Sequence, residues 1–360
     1  MLGAISRFIP LLMLALAVVV GVIGRVKPEV FLKIPRYGYI PWALTGNRMP
    51  PYFDDACLYE ENWAGQKGDV LISSGVKAGT FWIHNIVFLL RSQGRDDFKS
   101  LVDIFGSCEL NRYPGHTLAD RLEEDRQKRK VAEAEGFQGF QIFTAHHSPG
   151  HNPRQYGIDP EKNADVKYIA IVRNDREVLK SFMLFINSMT KEFRRMWGGF
   201  PPRLETPADV VNFMVGNAPK LYFGHLKSWW ERKDLPNVLL LHYRNLRTNP
   251  EASIQQIAHF LEIPLSEDLL TTIKHKSSLE YMSHSSRADK YLFWLGYPDE
   301  EPFPHVYPQS HVRPGGGLLV SDSDTFLNDA LAQKWEAAVQ KEFGHDPDLI
   351  KFARHGIMPK

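Results

Sequence analysis

Gly68-Asp69-Val70-Leu71-Ile72-Ser73-Ser74-Gly75-Val76-Lys77-Ala78-Gly79-Thr80-Phe81-Trp82 is the stretch on which the fold turns. Asp69 to Ser73 is short, apolar and β-branched and predicts a strand, Ser74 to Gly79 predicts a turn, and Thr80 to Arg91 carries bulky apolar residues at helical spacing. A loop that leaves a strand and opens a helix aims backbone N–H groups at one place, which suits an anion. Lys77 adds a point charge and Thr80 a hydroxyl. The loop is not a Walker A motif, which puts its lysine after the last glycine, whereas Lys77 precedes Gly79. Taken alone, such a turn serves equally well as a plain connection.

The alternation recurs along the chain. Lys167 to Val172 predicts a strand, followed by Arg173-Asn174-Asp175 and a helix over Arg176 to Met189 with Asn174 or Asp175 as its cap. Asn237 to Tyr243 predicts another strand, after which Asn249-Pro250-Glu251 opens an amphipathic helix running to Phe260. Strands alternating with helices predict an α/β protein with a parallel sheet covered on both faces. Ala119 to Gly136, dense in both signs of charge, predicts a solvated helix with intrahelical pairs rather than a site.

The 360 residues are 43% hydrophobic and 24% charged, which is enough for a substantial core. With 43 Lys and Arg against 42 Asp and Glu, the formal charge of +1 gives no electrostatic reason for a nucleic-acid partner, so any anion site is local. Cys57 and Cys108 are the only cysteines, too few for a disulfide framework or a cysteine metal site. They allow one bridge; two buried thiols are the expectation.

At the N-terminus, Phe8 to Ile23 runs without a charge between Arg7 and Arg25. Its 16 residues fall short of the roughly 20 a spanning helix needs. A cleaved signal peptide, with only a poor small-x-small site at Gly21 to Gly24, and a buried helix compete with an uncleaved anchor. The anchor is the expectation. Arg25, Lys27, Lys33 and Arg36 follow the run, so flanking charge predicts a single-pass membrane protein with its catalytic part cytoplasmic. The expected organisation is an anchor over residues 1–27, a Pro-rich and aromatic connecting segment over 28–60, and one catalytic domain over 61–360.

Lys77-Ala78-Gly79-Thr80-Phe81-Trp82 resembles the Lys-Ser-Gly-Thr-Thr-Trp loop of the cytosolic-type sulfotransferases. Tyr168-Ile169-Ala170-Ile171-Val172-Arg173-Asn174, with Ser181 eight residues after Arg173, is similar to that family's element for the 3′-phosphate of its nucleotide. Trp229-Trp230-Glu231 through Asn237 to Tyr243, and on to Phe260-Leu261, resembles the central stretch, and Arg313-Pro314-Gly315-Gly316-Gly317 looks like the Arg-Lys-Gly turn near the family's C-terminus. These blocks span Asp69 to the 330s in the family's order.

The resemblance implies a P-loop-like, three-layer α/β domain with a central parallel sheet flanked by helices, here behind an N-terminal hydrophobic helix. It implies transfer of the sulfuryl group of 3′-phosphoadenosine 5′-phosphosulfate (PAPS) to a hydroxyl or amine of a small acceptor, with no metal. The implied nucleotide contacts are Lys77, Ala78, Gly79, Thr80, Phe81, Trp82, Arg173, Ser181, Tyr243, Ser277, Arg313, Pro314 and Gly315. Lys77 would neutralise the leaving 5′-phosphate, Arg173 would grip the 3′-phosphate as a forked guanidinium, and Trp82 would stack on adenine. His147, in a His-Ser-Pro setting like the family's His-x-Pro, would be the general base, with His146 as the alternative. His146, His147 and His151 are not expected to hold a metal. Segments 103–116, 183–200 and 287–308 would line the acceptor pocket, and their Phe185, Phe193, Trp197, Tyr291, Phe293 and Trp294 favour an aromatic or apolar acceptor. The protein partner this reading admits is a second copy of the chain.

The sequence departs from the family where Ala78 replaces a serine, Phe81 a threonine and Ala145 a lysine, and where Leu318-Leu319-Val320-Ser321 replaces a Gly-Asp-Trp-Lys run. These losses leave a rival reading, a nucleotide-binding but catalytically silent membrane protein of the same fold.

Overall fold

The computed structural model describes residues 15–16, 18–19 and 52–359, except 64, 107–108, 135–140, 151–156, 198–200, 202, 218, 285–286, 298 and 308–325. Its main sheet is built from β1 (Val70–Ser74), β2 (Phe105–Gly106), β3 (Ile142–Ala145), β4 (Lys167–Val172) and β5 (Val238–His242), all parallel, in the order β2-β3-β1-β4-β5. β1 is buried along its whole length and lies between β3 and β4, and its Val70, Leu71 and Ile72 supply apolar side chains to both faces. The two-residue β2 and four-residue β3 were not anticipated, being too short to stand out as apolar runs.

The helices that matter to the site are α1 (Thr80–Arg91), α2 (Leu118–Ala134), α3 (Asp175–Asn187), α4 (His225–Trp230), α5 (Tyr243–Thr248), α6 (Pro250–Leu261), α7 (Glu267–Lys276), α8 (Asp329–Phe343) and α9 (Pro347–His355). Successive strand residues point to opposite faces. Leu71, Tyr168 and Leu240 therefore join the core made with α3, α4, α8 and α9, while Val70, Ile72, Ile169 and Leu241 join the one made with α1, α6 and α7. A central parallel sheet between two helical layers is thus observed. Asn174 caps α3 by accepting from the N–H groups of Arg176 and Glu177, and Asn249 with Pro250 opens α6.

Three expectations are corrected. α2 does carry intrahelical pairs, such as Arg126 with Glu123 at 3.1 Å, but it is not merely solvated. Arg129 pairs with the buried Asp69 at 2.6 Å, and the buried Arg121 with Asp54 at 2.6 Å, so its basic residues clamp distant segments. Next, Cys57 is disulfide-bonded and no free cysteine occurs among the described residues; Cys108 is the chain's other cysteine. Asp54 N–H donates to Glu109 O at 3.0 Å and Phe53 bridges Leu110, which lays the segment before Cys57 beside residues 109–110.

The third correction is the membrane anchor. No helix among the described residues is long and apolar enough to cross a membrane. Apart from Ala15, Leu16, Val18 and Val19, which are helical, the Phe8–Ile23 run lies outside the described residues. At 16 residues it is also shorter than the hydrocarbon layer demands. The anchor, and the cytoplasmic placement that depended on it, are withdrawn.

Candidate active site

The carboxyl ends of β1, β3, β4 and β5 each deliver functional side chains to one edge of the sheet, as expected where parallel strands stop and their connections splay apart. After β1, Gly75 N–H donates to Ile171 O of β4 at 2.8 Å and Ala78 N–H to Gly75 O at 3.1 Å, which curls the loop back on itself. Lys77 at φ 56° and Gly79 at φ 97° both take left-handed backbone conformations. Glycine suits position 79 because side chains rarely adopt φ 97°, and a Cβ there would also stand 3.1 Å from the Tyr243 ring. Thr80 begins α1 with its hydroxyl 2.8 Å from that of Ser74. The Lys77 ammonium lies 4.0 Å from the centre of the Phe185 ring on α3.

Arg173, at the end of β4, is buried. It donates from Nε to Glu177 Oε2 at 2.9 Å and from Nη1 to Lys77 O at 3.3 Å, and its guanidinium lies 4.4 Å from the centre of the Tyr243 ring. Tyr243 follows β5 and meets Trp82 edge-on at 5.5 Å. Lys77, Gly79, Trp82, Arg173 and Tyr243 are therefore one cluster. Trp82 Nε1 is buried without a hydrogen-bond partner among the described residues. Ala78 is fully buried with its N–H spent on Gly75 O, and Phe81 turns its ring toward Phe105 and Phe293, so what Phe81 offers a ligand is its backbone N–H. Ser181 is half-buried on α3, and Ser277 is buried at the C-terminal cap of α7. Arg313, Pro314, Gly315 and His151 lie outside the described residues.

His146 and His147 follow β3. Ser73 donates its hydroxyl to His147 O at 2.6 Å, accepts from Trp229 Nε1 at 2.9 Å and lies 2.9 Å from His225 Nε2, so β1 and α4 hold the His147 backbone. The buried His147 has Nδ1 2.8 Å from Glu109 Oε2 and Nε2 3.9 Å from Asp55 Oδ2. Burial pulls its pKa down, but the Glu109 hydrogen bond and charge, joined by Asp55, outweigh burial and raise it above the ordinary value. The fully buried Glu109 goes the other way: burial would raise its pKa, yet its contacts with His146 and His147 hold it at about 2.

Glu109, Asp55 and the Ser73 hub were missed from the sequence, where one carboxylate among 42 carries no mark of a partner 38 residues away. His305 was missed too. It packs on Phe185 and Phe293, and burial, reinforced by the Lys77 charge and partly offset by the Phe293 carbonyl, lowers its pKa to about 3. Of the six aromatics expected at the acceptor pocket, Phe193, Trp197 and Tyr291 are instead core residues. Phe185, Phe293 and Trp294 are half-buried, the first two within the Lys77 and His305 group.

A family model described as "Sulfotransferase domain" matches residues 67–293. Sulfotransferase 1E1 of Homo sapiens is 29% identical over 241 residues, covering 67% of this chain and 73% of that protein. Sulfotransferase 1B1 of Canis lupus familiaris is 26% identical over 223 residues, covering 62% and 68%. The crystal structure of mouse sulfotransferase SULT7A1 complexed with PAP superimposes with a TM-score of 0.58 at 16% identity, covering 82% of this chain and 91% of that one, a likeness of fold.

Proposed function

Because this chain belongs to the sulfotransferase domain family, we propose that it transfers the sulfuryl group of PAPS to a hydroxyl or amine of a small acceptor by in-line displacement. The single observation that carries this reading is the cluster of Lys77, Trp82, Arg173 and Tyr243 at the N-terminus of α1. The residues suit a nucleotide with two phosphates. The α1 N-terminus and Lys77 offer one anion subsite, and Arg173 offers the forked donors of another. Trp82 presents a ring face together with an unsatisfied buried Nε1.

In this scheme the acceptor's oxygen or nitrogen bonds to sulfur as the bond from sulfur to the 5′-phosphate oxygen breaks. Lys77 and the N–H groups of Gly79 and Thr80 stabilise the charge left on that oxygen, and His147 takes the acceptor's proton at Nε2. Arg173 and Ser181 hold the 3′-phosphate, and Tyr243 keeps the Arg173 guanidinium flat. Ser277 and the Arg313-Pro314-Gly315 turn complete the proposed nucleotide contacts. Phe185 and Phe293 give the acceptor side an apolar and aromatic character.

Incubation of the full chain with radiolabelled PAPS and a panel of phenols, alcohols, amines and sugars tests the proposal. A labelled product is expected, with kcat lowered about 100- to 10,000-fold in His147→Ala and about 100- to 1,000-fold in Lys77→Ala. Donor binding without product from any acceptor overturns the enzymatic reading, and wild-type turnover by His147→Ala removes His147 as the base.

A further inference from the structure

We infer that Glu109 is a positioning residue that fixes His147 in the one tautomer able to accept a proton. The inference rests on His147 being the base. Glu109 is fully buried, and its two oxygens are divided between two neighbours. Oε1 accepts from the His146 backbone N–H at 2.7 Å and lies 2.7 Å from His146 Nδ1, while Oε2 lies 2.8 Å from His147 Nδ1. An ionised carboxylate only accepts hydrogen bonds, so both imidazoles must carry a proton on Nδ1. The neutral form of His147 is then left with its lone pair on Nε2. That nitrogen faces Asp55 Oδ2 at 3.9 Å, beyond hydrogen-bond distance, and Asp55 is held by the Tyr59 hydroxyl at 3.0 Å.

The segments that carry these carboxylates are locked together. Asp54 N–H donates to Glu109 O, Asn111 N–H to Tyr52 O, and Arg121 holds Asp54. Cys57 is disulfide-bonded within the same 3-10 turn, Asp55–Leu58, that carries Asp55. Glu109 thus approaches His147 from a braced frame, as a group that orients a base must.

An isosteric substitution separates orientation from packing. In Glu109→Gln the amide has one accepting oxygen and one donating nitrogen. The His146 backbone N–H cannot change its role, so it holds the amide oxygen on its side. The amide nitrogen is left donating to His147 Nδ1, which drives the proton to Nε2 and disables the base.

The expected result for Glu109→Gln is a kcat about 100- to 10,000-fold below wild type, with the KM for PAPS within about twofold, since the substitution leaves the Lys77 and Arg173 cluster alone. The double variant Glu109→Gln with His147→Ala should be no slower than His147→Ala alone. Residual activity gives a third readout. Glu109 and Asp55 are the charged groups that raise the His147 pKa, and with Glu109 neutral, burial dominates, so the acid limb of kcat/KM moves to lower pH. Nitrogen-15 NMR of histidine-labelled wild-type protein reads the tautomer directly, without any variant having to fold, and should show His147 protonated on Nδ1.

Three outcomes overturn the inference: wild-type kcat in Glu109→Gln, a double variant slower than His147→Ala by the full factor of Glu109→Gln, or a neutral wild-type His147 that carries its proton on Nε2 rather than Nδ1. Full activity in His147→Ala removes the base assignment instead, and the NMR readout keeps the two failures distinct.

Discussion

Arg173 shows most clearly how one side chain can serve the structure and still be set for the proposed ligand. Its Nε is committed to Glu177 and its Nη1 contacts Lys77 O, so the guanidinium plane is already set against Tyr243 before any anion arrives. A lysine keeps the charge but loses the fork and the ring contact. Arg173→Lys is therefore expected to raise the KM for PAPS by about tenfold, with kcat changed much less, because the lost contacts serve ground and transition states alike. A steady-state KM equal to wild type would separate Arg173 from the donor. Arg173 was legible in the sequence because it stands at the end of a recognisable strand. Glu109 was not, because nothing near position 109 signals that its carboxylate meets the two histidines that follow β3.

The element that matters most is the turn between β1 and α1. It carries Lys77 in a left-handed conformation and reaches the helix through Gly79, which has the same hand. An alanine at 79 meets a backbone cost of about 1–2 kcal/mol, and its Cβ would press on the Tyr243 ring at 3.1 Å. Gly79→Ala is expected to lower the urea midpoint of unfolding and to raise the KM for PAPS together, since the same ring supports Arg173. An unchanged midpoint would mean that the turn relaxes freely. The loss of hydroxyls at 78 and 81, which from the sequence alone suggested a silent relative, has a different appearance at this scale. Both side chains belong to the core beneath the turn, and Phe81 packs edge-on against Phe293 at 5.2 Å. The face of the turn left for the proposed nucleotide is backbone and Lys77.

Across the whole molecule, the segment around Cys57 is joined to the stretch after β2 by the Asp54–Glu109 backbone bond and to α2 by the pairing of Arg121 with Asp54, and Cys57 is disulfide-bonded. A native disulfide typically contributes about 2–4 kcal/mol. Cys57→Ala, or reductant added to the wild type, should lower Tm by about 10 °C and should reduce kcat as Asp55 and Glu109 lose their frame. A Tm indifferent to reductant would show that the remaining contacts suffice. The chain by itself determined the local features: β-branched runs that must be strands, the caps at Asn174 and Asn249, the Lys77 turn and Arg173 at a strand end. Each depends on residues within a few positions of one another, where backbone sterics and hydrogen bonding act. Only the tertiary structure decided the sheet order, the sorting of apolar residues into two cores, the disulfide and the Glu109–His147 pair. These depend on which segments come to lie side by side, and burial selects that arrangement over the entire chain, through contacts that local spacing does not record.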